Sequence, residues 1–368
     1  GESYAGVYIP TLAQALMKKY PTSERINLQG TWATDPCLDN EKQFGWLDMS
    51  ADFAFQKGLI SGPVHELLTS EKCTSGRTAV GDRHRNLSDP SCRRAWRLYD
   101  MVFAGLGDAV HPDPIAGLPI YVDPLNAIGL VGGADIEGYL NREDVKIAFN
   151  AQQSKNRVYH IEIGNNGYPQ YELQYSACND KAYPYQRSMI QVYQNIVQLA
   201  AEQGKKDFVI IISSGDVDPV VALRGTEQAV RAIGLPAAEN MPRRPWFFNS
   251  SSTPNGFLSS KPLGFGQALH AHNAGAQVGG FTETFVSKDA IKLHFVTVGN
   301  SGHMVPAYAP QKALHILKRL LLQNAPIAPA LETGWDTDSS SAWRGSEGHA
   351  GIFARYIKAA MSDEFLRT

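Results

Sequence analysis

The run Gly1-Glu2-Ser3-Tyr4-Ala5-Gly6 sets a serine among small residues, immediately ahead of a segment in which Leu12, Leu16 and Met17 recur at helical spacing. That pattern suits a nucleophile elbow. In an elbow the serine backbone is strained, its neighbours are small so that strand and helix can approach, and the hydroxyl stands exposed at a helix N-terminus. The Tyr4 N–H would then help to hold a developing oxyanion. As a G-x-S-x-G pattern the match is imperfect, because Ala5 occupies the last position.

A serine nucleophile needs a base, and the base needs an acid to orient it. Residues 207–213 read as a buried strand of continuous apolar type that runs into Ser214-Gly215-Asp216-Val217-Asp218-Pro219. Acidic residues thus fall at the carboxyl end of a strand, where open α/β sheets keep their sites. Asp216 follows Gly215 directly and suits a turn, so Asp218 is expected to orient the imidazole. His303 lies in Gly299-Asn300-Ser301-Gly302-His303-Met304-Val305-Pro306, after another strand at 292–298, a setting that the other histidines lack. His270, His272 and His294 read as structural or solvated groups, and neither a metal nor another cofactor is expected. Ser3, Asp218 and His303 follow in the chain order of an α/β-hydrolase triad. His303 would take the Ser3 proton and return it to the leaving group while Asp218 fixes the imidazole tautomer.

The elements that must position these residues follow an α/β pattern at both ends of the chain. Helix is expected at 8–20 with Pro10 in its first turn, strand at 25–34 into the turn Asp35-Pro36, helices at 186–203 and 223–233, strands at 276–285 and 292–298, and helix at 310–322. Between them, helices at 46–57, 64–71, 91–103 and 143–149 and one strand at 158–163 lack that alternation. This assigns 1–40 and 186–323 to an α/β core, 41–185 to an inserted, mainly helical cap, and 324–368 to a tail with one short helix near 352–361. The stretch Pro242–His272, rich in Ser, Pro and Gly, reads as an insertion.

Of the 368 residues 43% are hydrophobic and 19% charged, which is globular, and 33 Gly with 21 Pro indicate many loops. Thirty-four Lys and Arg against 36 Asp and Glu leave a net charge of −2, without the basic excess that a nucleic-acid surface needs. No apolar run is long enough to span a bilayer, so no membrane partner is expected. Cys73 and Cys92 bracket a polar stretch and are expected to form a disulfide that ties its ends. With two sequons, Asn86-Leu87-Ser88 and Asn249-Ser250-Ser251, this points to glycosylation at Asn86 and Asn249 and to the secretory route, with a secreted, vacuolar or lysosomal destination.

G-E-S-Y-A-G-x-Y-I-P, S-G-D-x-D and G-H-M-V-P, in this order, resemble the serine carboxypeptidase family over residues 1 to about 322. The resemblance implies an α/β-hydrolase fold with a helical cap, an acidic working pH, and release of single C-terminal residues from peptides with a free C-terminus. It casts Ser3 as nucleophile with Asp218 and His303 as its partners, Tyr4 as an oxyanion donor, Glu2 as a carboxyl that binds the substrate's terminal carboxylate, and Met304 as a residue lining the site. Glu2 suits that role chemically, since a protonated carboxyl donates a hydrogen bond to a carboxylate and an ionised one repels it.

The family's glycine-rich segment, with its second oxyanion N–H and a carboxylate-binding Asn, would lie upstream of Ser3. The sequence is therefore expected to be truncated at the elbow, incomplete in its first strands and inactive alone, with the missing N-terminal segment as its partner. The family pairs the cysteine corresponding to Cys178 with one in that segment, so Cys37 and Cys178 have no assigned partner unless they pair with each other. An acyltransferase with the same triad, or a binding protein retaining it as a relic, is the alternative.

Overall fold

The computed structural model describes residues 1–22, 26–43, 46–77, 83–105, 139, 141–149, 188–218, 221–249, 276–322, 325–331 and 349–362. The expected strand at 158–163, Cys178, His270 and His272 lie outside them, as do Ser250 and Ser251 of the second sequon and the side chain of Asn249. The chain divides into two units, Gly1–Gln43 with Arg187–Thr368, and Phe44–Gln186. In chain order the strands are β1 (Gly30–Thr34), β2 (Thr74–Arg77), β3 (Arg83–Arg85), β4 (Val209–Gly215), β5 (Arg244–Asn249), β6 (Ala276–Val286) and β7 (Lys292–Val298).

The first unit holds a five-stranded mixed sheet in the order β1-β4-β7-β6-β5. β1, β4 and β7 run parallel, and β6 and β5 return antiparallel. All seven residues of β4 are buried, as the unbroken apolar run requires of a strand covered on both faces. Because side chains alternate across a strand, β4 and β7 feed two cores. Ile210, Ile212, Leu293 and Phe295 pack against Ala13 and Met17 of helix Ala5–Lys19 and against Tyr193, Ile196 and Ala200 of helix Ile190–Glu202. On the other face Val209, Ile211, Val296 and Val298 meet Val305, Ala313, Ile316 and Leu320. Ile327 and Ala328, from the segment read as tail, join this second core.

Three expectations are corrected. The first helix starts at Ala5, directly after the serine turn, so Pro10 lies inside it and removes one backbone hydrogen bond instead of opening the helix. Residues 244–249 of the supposed insertion are a sheet strand. β5 tolerates Pro245 because it lies at the sheet edge, and it is anchored by the fully buried Trp246, whose Nε1 donates to Thr297 O at 3.0 Å. The expected helix at 310–322 is α-helical only over Pro310–Ile316 and becomes a π-helix over Leu317–Leu322.

In the second unit, helices Trp46–Gln56, Gly62–Thr69 and Pro90–Gly105 enclose a core of Ala51, Ala54, Leu68, Ala95, Trp96 and Tyr99. The expected Cys73–Cys92 disulfide is present and fully buried in that core, with Trp96 Nε1 donating to Cys73 O at 3.2 Å. The polar stretch between the cysteines carries the β2–β3 hairpin instead of an open loop. Asn86, at its exit, donates from Nδ2 to Lys72 O at 2.9 Å.

Two stability predictions follow from these cores. The disulfide joins residues 19 apart in sequence, and a loop of that length is worth about 3 kcal/mol in the chain-entropy model. Urea unfolding of Cys92→Ala is expected to show a loss of about that size, and a reductant, which also opens the Cys37 disulfide, is expected to weaken wild type by about that much more than the variant; equal stabilities would show that the crosslink contributes nothing.

His294, fully inside the sheet with Nδ1 3.0 Å from Thr284 Oγ1, has its pKa lowered to about 3, first by burial and then by the charges of Lys292 and Arg244. Above pH 6.5 both folded and unfolded chains keep it neutral. Between there and about pH 3 only the unfolded chain takes up the proton, so this residue withdraws about 1.4 kcal/mol of stability per pH unit of acidification. His294→Gln, which cannot titrate, is expected to flatten the fall in denaturation free energy across that window, and an unchanged slope would rule the residue out as its source.

Candidate active site

Gly1–Ser3 lie along the side of β1 that β4 leaves open. Gly1 N donates to Trp32 O at 2.8 Å, Gly1 O accepts from Thr34 N at 2.9 Å, and Ser3 N donates to Thr34 O at 3.0 Å, with a parallel bridge between Glu2 and Thr34. Ser3 thus emerges at the carboxyl end of the parallel strands, and its φ of 56° is the left-handed value of a strained elbow. A Cβ on Gly1 would stand 2.4 Å from Ala5 Cβ. One on Gly6 would stand 2.5 Å from Cys37 O and 2.6 Å from Pro36 Cβ. The glycine that the tight approach needs is therefore Gly6, one residue beyond the usual place, which is why Ala5 is accepted. Ser3 O accepts from both Gly6 N and Cys37 N at 2.9 Å, fastening the turn to the helix and to the loop after β1.

Asp218 and His303 are set by a close crossing of the loops after β4 and β7. A Cβ on Gly215 would lie 2.2 Å from Ser301 O and 2.4 Å from Gly302 O, so only glycine fits there. Asp216 N donates to Val298 O at 3.1 Å, Val217 N to Ser301 O at 3.1 Å, and Asn300 N to Asp216 Oδ1 at 2.6 Å. Asp216 is thereby the turn-shaping residue, and Asp218 is the one that meets the histidine. Its Oδ2 lies 2.8 Å from His303 Nδ1 and its Oδ1 accepts from Val221 N at 3.2 Å. Asp218 is fully buried and His303 is 7% exposed. With Nδ1–H given to the carboxylate, the imidazole takes the tautomer whose lone pair is on Nε2.

One member of the cluster had no motif to announce it. Asp35, read from sequence only as a turn residue, sits fully buried at the end of β1 with a φ of 42°. Its Oδ1 accepts from Gly215 N at 2.8 Å and Ser214 Oγ at 3.1 Å, its Oδ2 accepts from Thr34 Oγ1 at 3.1 Å, and its carboxyl lies beside that of Asp218. Burial first and the neighbouring Asp218 charge second raise its pKa well above the carboxylate range. The signal available in sequence was an acid ending a strand parallel to β4, whose register pairs Thr34 with Ser213.

Glu2 and Tyr4 flank Ser3 and are half-buried, as is Met304, which opens the short helix Val305–Tyr308. The Tyr4 ring meets Tyr8 edge-on at 4.9 Å. Cys37 is disulfide-bonded to a partner outside the described residues. Among the described residues no three His, Cys, Asp or Glu are grouped to hold a metal, and no helix is long and apolar enough to cross a membrane.

Comparison with known proteins places this site in context. Serine carboxypeptidase-like 46 of Arabidopsis thaliana is 25% identical over 335 residues, covering 87% of this chain and 60% of its own length. Serine-type carboxypeptidase F of Aspergillus niger is 25% identical over 369 residues, covering 87% and 60%. A solved prohormone-processing carboxypeptidase from Saccharomyces cerevisiae is similar with a TM-score of 0.49 at 16% identity, over 86% of this chain and 60% of that one. The chain thus spans about 60% of the length of these relatives. Residues 1–323 match the serine carboxypeptidase family, and with its mixed sheet covered by helices on both faces the chain belongs to that family and has its α/β-hydrolase fold.

Proposed function

We propose that this protein releases C-terminal residues from peptides through an acyl-enzyme on Ser3. The observation that carries the reading is the Asp218–His303 bond at 2.8 Å, at the same end of the parallel strands as the strained Ser3 turn. Ser3 Oγ attacks the carbonyl of the last peptide bond as His303 Nε2 takes its proton, and Asp218 stabilises the imidazolium. The tetrahedral oxyanion is held by the Tyr4 N–H at the start of helix Ala5–Lys19. On collapse the C–N bond breaks and His303 returns the proton to the departing amine. Water, activated by the same imidazole, then hydrolyses the ester on Ser3.

Glu2, one residue before the nucleophile, binds the substrate's terminal carboxylate through a protonated carboxyl, and Met304 lines the site. The buried Cys73–Cys92 bridge supports passage through an oxidising compartment, with glycans at Asn86 and Asn249.

Assayed at its full natural length on an N-blocked dipeptide, the protein is expected to liberate the C-terminal amino acid, and Ser3→Ala to lower kcat/KM by roughly 10⁴-fold or more. Transfer from a sugar ester to an alcohol without dipeptide cleavage would assign an acyltransferase instead. No turnover of either substrate would overturn the triad.

The proton on Glu2 sets the sign of the pH dependence. Cleavage of substrates with a free carboxylate is expected to rise as pH falls below neutrality, until His303 itself takes up a proton and the rate declines. Glu2→Gln, which donates at every pH, is expected to flatten the rise, and an unchanged profile would remove Glu2 from the carboxylate site.

A further inference from the structure

Asp35 invites a bland explanation. It ends β1, and by accepting from Gly215 N and Ser214 Oγ it pins β1 to β4, which any short acceptor side chain would do. Two observations go beyond that role. The acceptor bonds of Asp35 use lone pairs and leave its hydroxyl hydrogen for another oxygen, and the carboxyl that it meets is the one bonded to His303. Asp218 in turn receives Val221 N on Oδ1 and His303 on Oδ2. Fully buried side by side, the two carboxyls cannot both carry a charge cheaply, and a shared proton lets one remain an acceptor for the imidazole.

We propose that Asp35 is a positioning residue which, in its neutral form, donates a hydrogen bond to Asp218 and thereby fixes the Asp218 carboxylate against His303. This rests on the triad reading above. The titratable groups around Asp35 are Asp218 in direct contact, His303 beyond it, Asp216 in the same loop but engaged by Asn300 N, and Glu2 across Thr34 on the other side of β1. Burial and the Asp218 charge both favour the proton on Asp35, so the arrangement is lost as the pH rises through the raised pKa of Asp35. Such failure places a high-pH limit on turnover that belongs to neither Glu2 nor His303.

The test compares Asp35→Asn with Asp35→Ala in the full-length protein. The amide keeps an oxygen for Gly215 N and Ser214 Oγ and a nitrogen that donates to Asp218, its second N–H turning to Thr34 Oγ1, which then accepts instead of donating, but it cannot lose a proton. Asp35→Asn is expected to stay within about threefold of wild-type kcat near neutrality and, on an ester or C-terminally amidated substrate whose binding does not need the Glu2 proton, to keep that rate on the high-pH side where wild type declines. Asp35→Ala is expected to lose about 10- to 100-fold in kcat with little change in KM, as removal of one hydrogen bond to a charged group does. An NMR titration of His303 supplies a readout independent of turnover. Asp218 without its donor holds the imidazolium more strongly, so the His303 pKa is expected to move up by about one unit in Asp35→Ala and to stay in place in Asp35→Asn.

Asp35→Asn as impaired as Asp35→Ala in both readouts, or an Asp35→Ala variant with the wild-type kcat and His303 titration, would overturn the proposal. A wild type that cleaves no peptide yet shows the predicted titration pattern would sink the functional reading and leave the Asp35–Asp218 pairing standing.

Discussion

The close approach of the loops after β4 and β7 at Gly215 is the contact on which the site depends. There the backbone leaving β4 passes under the carbonyls of Ser301 and Gly302 with no room for a methyl group. Pressed together in this way, the two loops exchange the Asp216, Val217 and Asn300 backbone bonds, and Asp218 and His303 are delivered to the same place. Ser3 arrives by a separate route through its pairing with Thr34, the last residue of β1. Since β1 is in register with β4, and β4 with β7, one set of parallel ladders determines the level at which all three side chains emerge.

Holding that arrangement is unfavourable locally. Left-handed backbone at Ser3, Asp35 and Asn300 costs on the order of 1–3 kcal/mol at each position, and placing two carboxyls side by side out of water adds to it. The strands just behind the site offset these costs. β4 is buried along its whole length and β7 in all but its first residue, with cores on both faces, so the strained residues are the last few on elements fixed by many apolar contacts. Hydrogen bonding limits the cost further. Gly215 N, Ser214 Oγ and Thr34 Oγ1 converge on Asp35, and Val221 N and His303 on Asp218.

What was legible in the sequence was whatever local chemistry specifies. The apolar run at 208–212, short, unbroken and rich in β-branched residues, reads as a buried parallel strand covered on both faces. The loops after β4 and β7 read as site loops because glycine and acid follow one strand and glycine and histidine the other. Asp35 was illegible because its significance lies in the β1–β4 register, and an Asp-Pro pair reads locally as a turn. β5 was missed because Arg244 and Pro245 argue against a central strand, and only the sheet order reveals an edge where Pro is permitted. The helix start was placed late because Pro10 marks a first turn by its own preference, which the elbow overrides. The β2–β3 hairpin hid in a polar stretch whose ends are joined through the buried disulfide.

A single constellation of Ser3, His303 and Asp218 is the central claim, and a crystal structure of the full-length protein after reaction with a fluorophosphonate tests it most directly. The expected result is one adduct, on Ser3 Oγ, with a phosphonyl oxygen directed at the Tyr4 N–H and His303 Nε2 within about 3 Å of Ser3 Oγ while its Nδ1 remains on Asp218. An adduct on a different serine, or a His303 ring turned away from a modified Ser3, would contradict it.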